Sequence, residues 1–119
     1  MAAPRILLVE DDPGIRQGVA DVLGLEGYAV DVAANGEEAL AYLRGQRPAL
    51  LVMDLVMPVM NGPQLLARMR GEGFDGIPVI IMTAAVPSAS ALPAADAYLT
   101  KPFDLDDLIA CVRRHVGKP

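Results

Sequence analysis

The sequence predicts an α/β fold: a single-domain, doubly wound, five-stranded parallel sheet with helices on both faces, spanning residues 1–119. Three observations carry this. Short apolar runs alternate with longer segments of helical period, the pattern of βαβ units. The runs are continuous rather than alternating polar and apolar, as buried parallel strands require. Several of them stop abruptly at an acid or a hydroxyl residue.

Residues 6–9 form the first apolar run, ended by Glu10, Asp11 and Asp12, and read as a central strand. Asp12-Pro13 supplies a capping acid and a proline at the first helical position. The helix that follows sets Ile15, Val19, Val22 and Leu23 on one face and runs to Gly27. Residues 28–33 make a more polar strand suited to a sheet edge, and Asn35 with Glu38 resembles a capping box for a second helix with Leu40 and Leu43 inward. Residues 49–53 form a buried strand stopped by Asp54. The loop 55–62 leads to a third helix with Leu65, Leu66 and Met69 inward. A fourth strand covers residues 78–82 and ends at Thr83. Tyr98 and Leu99 lie in a short fifth strand, and Asp104 is placed to cap a last helix burying Leu108, Ile109, Val112 and Val116. The fourth helical slot, residues 84–96, carries Pro87 and Pro93. Because an interior proline costs a helix about 3 kcal/mol, a shortened or irregular fourth helix is expected.

Composition narrows the function. An apolar fraction of 53% with only 4% aromatics calls for an aliphatic core and argues against disorder. A net charge of −5 offers no basic face for nucleic acid or an anionic membrane. Cys111 is the lone cysteine, so no internal disulfide forms and no Cys/His cluster has zinc spacing. No signal peptide and no run of about 18 apolar residues is present, and a cytoplasmic setting is expected.

In an open parallel sheet, ligands bind beyond the carboxyl ends of the strands. Glu10, Asp11, Asp54, Thr83 and Lys101 all fall there, from four separate segments. If the first and third strands are neighbours, about 4.8 Å apart, the Asp11 and Asp54 carboxylates come together. At 4 Å and an effective dielectric near 20, such a pair costs roughly 4 kcal/mol. A cation or a raised pKa must relieve it. An all-oxygen donor set favours Mg²⁺, or Mn²⁺, over zinc. A cation site that also offers a carboxylate nucleophile, an amine and a hydroxyl suits phosphoryl transfer to aspartate. Taken singly, Asp12 reads as a helix cap, Thr83 as a turn residue and Lys101 as a surface amine; their joint spacing outweighs those readings.

The motifs Ile-Leu-Leu-Val-Glu-Asp-Asp at 6–12, Asp-Leu-Val-Met-Pro-Val-Met-Asn-Gly at 54–62, Ile-Met-Thr-Ala at 81–84 and Tyr-Leu-Thr-Lys-Pro-Phe at 98–103 resemble the receiver domains of two-component response regulators, over nearly the whole chain. The resemblance implies a flavodoxin-like sheet of order 2-1-3-4-5. It implies that Asp54 is the phosphoacceptor, that Asp11, Asp54 and the Val56 carbonyl hold the metal, and that Glu10 acts through water on that metal. Lys101 is then the phosphoryl partner, the Lys101-Pro102 bond is cis, Thr83 is the switch hydroxyl, and Tyr98 is the ring that moves with it. Ala84 is small and leaves the acceptor accessible. His115, the sole histidine, sits near the end of the last helix, where a cation suits the dipole, so the phosphohistidine donor is another protein: a histidine kinase or a phosphotransfer protein. A downstream protein reads the state.

Two departures matter. The family usually has about four more residues between Thr83 and Lys101, within its usual dimer surface, so a monomer is expected. Val56 and Ala85, each two residues past a site residue, carry no polar group to orient water, so slow loss of the phosphoryl group is expected. Among rivals, a haloacid-dehalogenase-type phosphatase resembles a pattern with an aspartate where Val56 stands. A flavodoxin-type cofactor site needs a phosphate-cradling loop, not Glu10-Asp11-Asp12. A degenerate receiver acting only as a docking module conflicts with the complete set Asp11, Asp54, Thr83 and Lys101.

Overall fold

A computed structural model describes residues 4–57, 59–74, 76–84 and 95–117. In chain order the elements are β1 (Arg5–Val9), α1 (Pro13–Leu25), β2 (Ala29–Ala33), α2 (Gly36–Gly45), β3 (Leu50–Asp54), α3 (Gly62–Gly71), β4 (Val79–Thr83), β5 (Ala97–Thr100) and α4 (Leu105–Val116). The strands pair in parallel in the order β2-β1-β3-β4-β5, as expected. The expected fourth helical slot falls mostly on residues 85–94, which lie outside the described residues, as does Ala85; α4 occupies the fifth slot.

Strand alternation sorts the core into two layers. Ile6, Leu8, Leu50, Val52, Ile80 and Met82 face α1 and α4, packing with Val19, Leu23, Leu108 and Val112. Leu7, Val9, Leu51, Met53, Val79 and Ile81 face α2 and α3, packing with Leu40, Leu43, Leu65 and Met69. The three inner strands are therefore apolar at nearly every position. The edge strands β2 and β5 are only partly buried, with Val32 of β2 49% exposed.

The caps show how local sequence sets the helix starts. Asp12 Oδ1 accepts from the Ile15 amide at 3.0 Å, with Pro13 opening α1. Asn35 caps α2 through the Glu38 amide at 3.0 Å, but Glu38 returns its bond to the Ala34 amide rather than to Asn35. Asn61 and Gln64 form a full capping box on α3 that the sequence reading passed over. Asp104 stands at the start of α4 but makes no side-chain capping bond, contrary to expectation. It is exposed, so water can serve its carboxylate, and Asp106 and Asp107 already place negative charge in the first turn.

Two further differences are small. Tyr28 precedes β2 rather than opening it, and its buried ring sends the hydroxyl to the Gly117 carbonyl at 2.7 Å. Ile15, expected inward, is 40% exposed, because it lines an apolar groove between α1 and the segment Pro102, Phe103 and Leu105.

Candidate functional site: an acidic rim with one lysine

The site grows from the strand ends. Glu10 extends β1 by one residue, its amide donating to the Ala33 carbonyl at 3.0 Å. Asp54 is the last residue of β3, paired with Met82. Continuing the two-residue alternation, Glu10 follows Ile6 and Leu8, Asp54 follows Leu50 and Val52, and Lys101 follows Ala97 and Leu99, all on the α1/α4 face. Thr83 follows Val79 and Ile81 onto the other face, where Tyr98 packs against the second layer. The rim is thus divided: acids and amine on one side, hydroxyl and ring on the other.

The loop after Asp54 is held close behind it. The Leu55 amide donates to the Met82 carbonyl at 3.0 Å, and the Gly62 amide to the Leu55 carbonyl at 2.9 Å. A Cβ on Gly62 would lie 3.0 Å from the Leu55 carbonyl oxygen and 3.2 Å from that of Asp54. The missing side chain lets α3 begin this near the acid without strain.

Lys101 Nζ lies 2.8 Å from Asp54 Oδ2 and 3.7 Å from Glu10 Oε1. Its own amide donates to the Thr83 carbonyl at 2.6 Å, and the Lys101-Pro102 bond is cis. Burial works to lower the Lys101 pKa, but the hydrogen bond and charge of Asp54, with Glu10, outweigh it and hold the amine above its ordinary value. Glu10 is also raised, which for a carboxylate favours the neutral form. It is 1% exposed, and burial, reinforced by Asp54 and opposed by Lys101, pushes it up to about 7. Val56 is 74% exposed, and its amide reaches Asp54 Oδ1 at a long 3.3 Å. Ala84 and Pro102 are exposed beside the rim, Thr83 is buried, and Tyr98 is half-buried, its phenol pushed up by burial.

Carboxylate oxygens of Glu10, Asp11 and Asp54 lie within 4.8 Å of one another, one buried, one exposed and one between. Among the described residues, Glu10 Oε2 is buried with no hydrogen-bond partner. A buried orphan oxygen in an all-carboxylate cluster is costly alone, and these hard oxygen donors fit a divalent cation. His115 lies on α4 with Nδ1 2.8 Å from the Cys111 carbonyl, a local helical contact. Arg16 was not anticipated: its Nη1 donates to the Glu10 carbonyl at 2.9 Å.

Residues 6–113 match the response regulator receiver domain family. The response regulator Rre1 of Synechocystis is 41% identical over 125 residues, covering 99% of this chain and 54% of that protein. The chain spans about half the length of the curated relatives it matches. Among solved structures, the signal receiver domain of a signal transduction histidine kinase from Syntrophus aciditrophicus superposes with a TM-score of 0.88 at 33% identity, covering 96% of this chain and 90% of that one. The response regulator TrrA of Thermotoga maritima, solved with Mg²⁺-BeF, gives 0.84 at 35% identity, over 93% and 97%. The family match, the relatives and the shared fold establish that this chain belongs to the response regulator receiver domain family.

Proposed function

We propose that this chain takes a phosphoryl group onto Asp54 from the phosphohistidine of a histidine kinase or phosphotransfer protein, and signals to a downstream protein. The observation that carries the reading is the convergence of Glu10, Asp11 and Asp54 within 4.8 Å with Lys101 2.8 Å from Asp54. A carboxylate nucleophile, a site for a hard cation and a fixed amine make the minimal set for phosphoryl transfer to aspartate.

In this reading one Asp54 oxygen bonds phosphorus as the donor's P–N bond breaks, and the bonding pair leaves with the imidazole, which takes up a proton. Asp11, Asp54 and the Val56 carbonyl would hold Mg²⁺, with Glu10 acting through water. When bound, Mg²⁺ supplies neutralising charge to the transferring oxygens. Lys101, already charged beside Asp54, exchanges that carboxylate for a phosphoryl oxygen. Ala84, small and exposed, leaves the approach open.

Thr83 and Tyr98 carry the consequence. The Lys101 amide is tied to the Thr83 carbonyl, so a shift of Thr83 toward the phosphoryl group pulls on the start of the β5–α4 connection. Tyr98 shares the Thr83 face and answers by moving inward. The chemistry stays confined to the chain's own phosphorylation and dephosphorylation, in a cytoplasmic setting; among the described residues no helix is long and apolar enough to cross a membrane.

The test is intact-mass spectrometry after incubation with acetyl phosphate, with and without Mg²⁺. Wild type is expected to gain one phosphoryl group only with Mg²⁺, and Asp54→Ala none. A folded wild type that gains nothing refutes the reading.

A further inference from the structure

We propose that Arg16 is a positioning residue for the acidic rim, fixing the Glu10–Asp11 peptide and so aiming the Asp11 carboxylate at the cation. This rests on the reading above, that the rim holds Mg²⁺.

The Glu10 carbonyl stands where the sheet runs out. The last pairs of β1 are Val9 with Ala33 and Val9 with Met53, and Glu10 adds only its amide bond to Ala33. Its carbonyl needs a partner from elsewhere, because a backbone oxygen beside a buried side chain is costly to leave unpaired. Arg16 supplies it, reaching back from the first turn of α1 to donate at 2.9 Å. The arginine is itself anchored: its amide donates to the Asp12 carbonyl at 2.9 Å, and the Asp12 carboxylate caps the same turn. Residues 10–16 therefore close into a small ring with a charge-assisted bond at its neck.

The consequence falls on Asp11. Its side chain is exposed, and among the described residues it makes no hydrogen bond, so its direction is inherited from its backbone. Of the three clustered carboxylates, Asp54 is held by Lys101 and Glu10 by burial, which leaves Asp11 as the one most dependent on the peptide that Arg16 fixes.

The sign of the effect separates positioning from charge. A guanidinium near a cation site repels the ion, so if Arg16 acted only through its charge, removing it would tighten Mg²⁺ binding. Positioning requires the reverse. Outer partners of metal ligands typically change affinity by about 10- to 100-fold, and the lower end suits an arginine acting through a backbone carbonyl.

The experiment is calorimetric titration of Mg²⁺, with no phosphoryl donor, into wild type, Arg16→Met and Arg16→Lys, with thermal unfolding in metal-free buffer as a fold check. Arg16→Met is expected to bind about tenfold more weakly, and Arg16→Lys, which retains a charged donor, to recover part of the loss. Equal or tighter binding by Arg16→Met overturns the proposal, as does a loss of thermal stability with unchanged Mg²⁺ affinity. Should Arg16→Met not fold, Arg16→Gln takes its place with the same two outcomes. Wild type that binds no Mg²⁺ overturns the proposed function itself, whereas Mg²⁺-binding wild type matched by Arg16→Met overturns only the role of Arg16.

Discussion

Asp31 and Glu10 are both carboxylates on or just past a strand of the same sheet, and the protein treats them in opposite ways. Asp31, on the edge strand β2, accepts from the Tyr42 hydroxyl at 2.6 Å and from Arg5 at 2.8 Å. Those bonds hold it below the usual carboxylate range, while burial and the Asp31 charge push the Tyr42 phenol up to about 12. Glu10 is buried beside a second acid, with one oxygen unpartnered among the described residues, and it is pushed up to about 7. The contrast teaches where charge serves the fold and where it waits for a ligand: a satisfied acid stabilises, and an unsatisfied one is kept at some cost in stability.

The largest expected effect in this comparison is at Glu10. With the native value near 7 and the ordinary value at 4.5, the native metal-free protein holds, between about pH 4.5 and 7, a proton that the unfolded chain has released. Its contribution is therefore full below about pH 4.5 and is lost as pH rises through 7, on the order of 3 kcal/mol. Glu10→Gln should flatten that decline and make the metal-free protein more stable than wild type at pH 8, measured by urea unfolding. The same variant should bind Mg²⁺ more weakly.

Next comes Gly62→Ala. The added Cβ meets two backbone oxygens at 3.0 and 3.2 Å, which cannot move without displacing Asp54. Overpacking of this kind costs about 1–3 kcal/mol, and the unfolding midpoint should fall accordingly. An unchanged midpoint would mean that the approach of α3 to the acid is looser than its geometry indicates.

The smallest effect belongs to Asp31→Asn. Because the Asp31 side chain is 36% exposed, solvent screening limits the loss to below about 1 kcal/mol at pH 7. With its native value lowered, its stabilisation is present above the ordinary value of 3.8 and fades as pH falls through the native one. Wild type and Asp31→Asn should therefore converge in strong acid, and a difference that grows in acid would contradict this.

Much of the rim was legible because burial writes itself into sequence. Continuous runs such as Ile6 to Val9 and Leu50 to Met53 stop at acids, and a sheet that winds both ways brings strand ends together. The observed strands then place Glu10, Asp54 and Lys101 on one face and Thr83 with Tyr98 on the other. What escaped was carried by the backbone or by geometry. Arg16 binds a carbonyl, which every residue possesses, so no residue type announces it. Asp104 stood where a cap belongs, yet residue type alone does not decide whether the bond forms. The box between Asn61 and Gln64 was written plainly and was masked by the glycine and proline between them.

The most direct test of the central claim is to trap the phosphorylated protein with borohydride, which reduces an aspartyl phosphate in place, and to map the modified residue by tandem mass spectrometry. The account predicts a single modified site at Asp54, dependent on Mg²⁺. Modification at Asp11 instead, or at no residue of a folded protein, would contradict it.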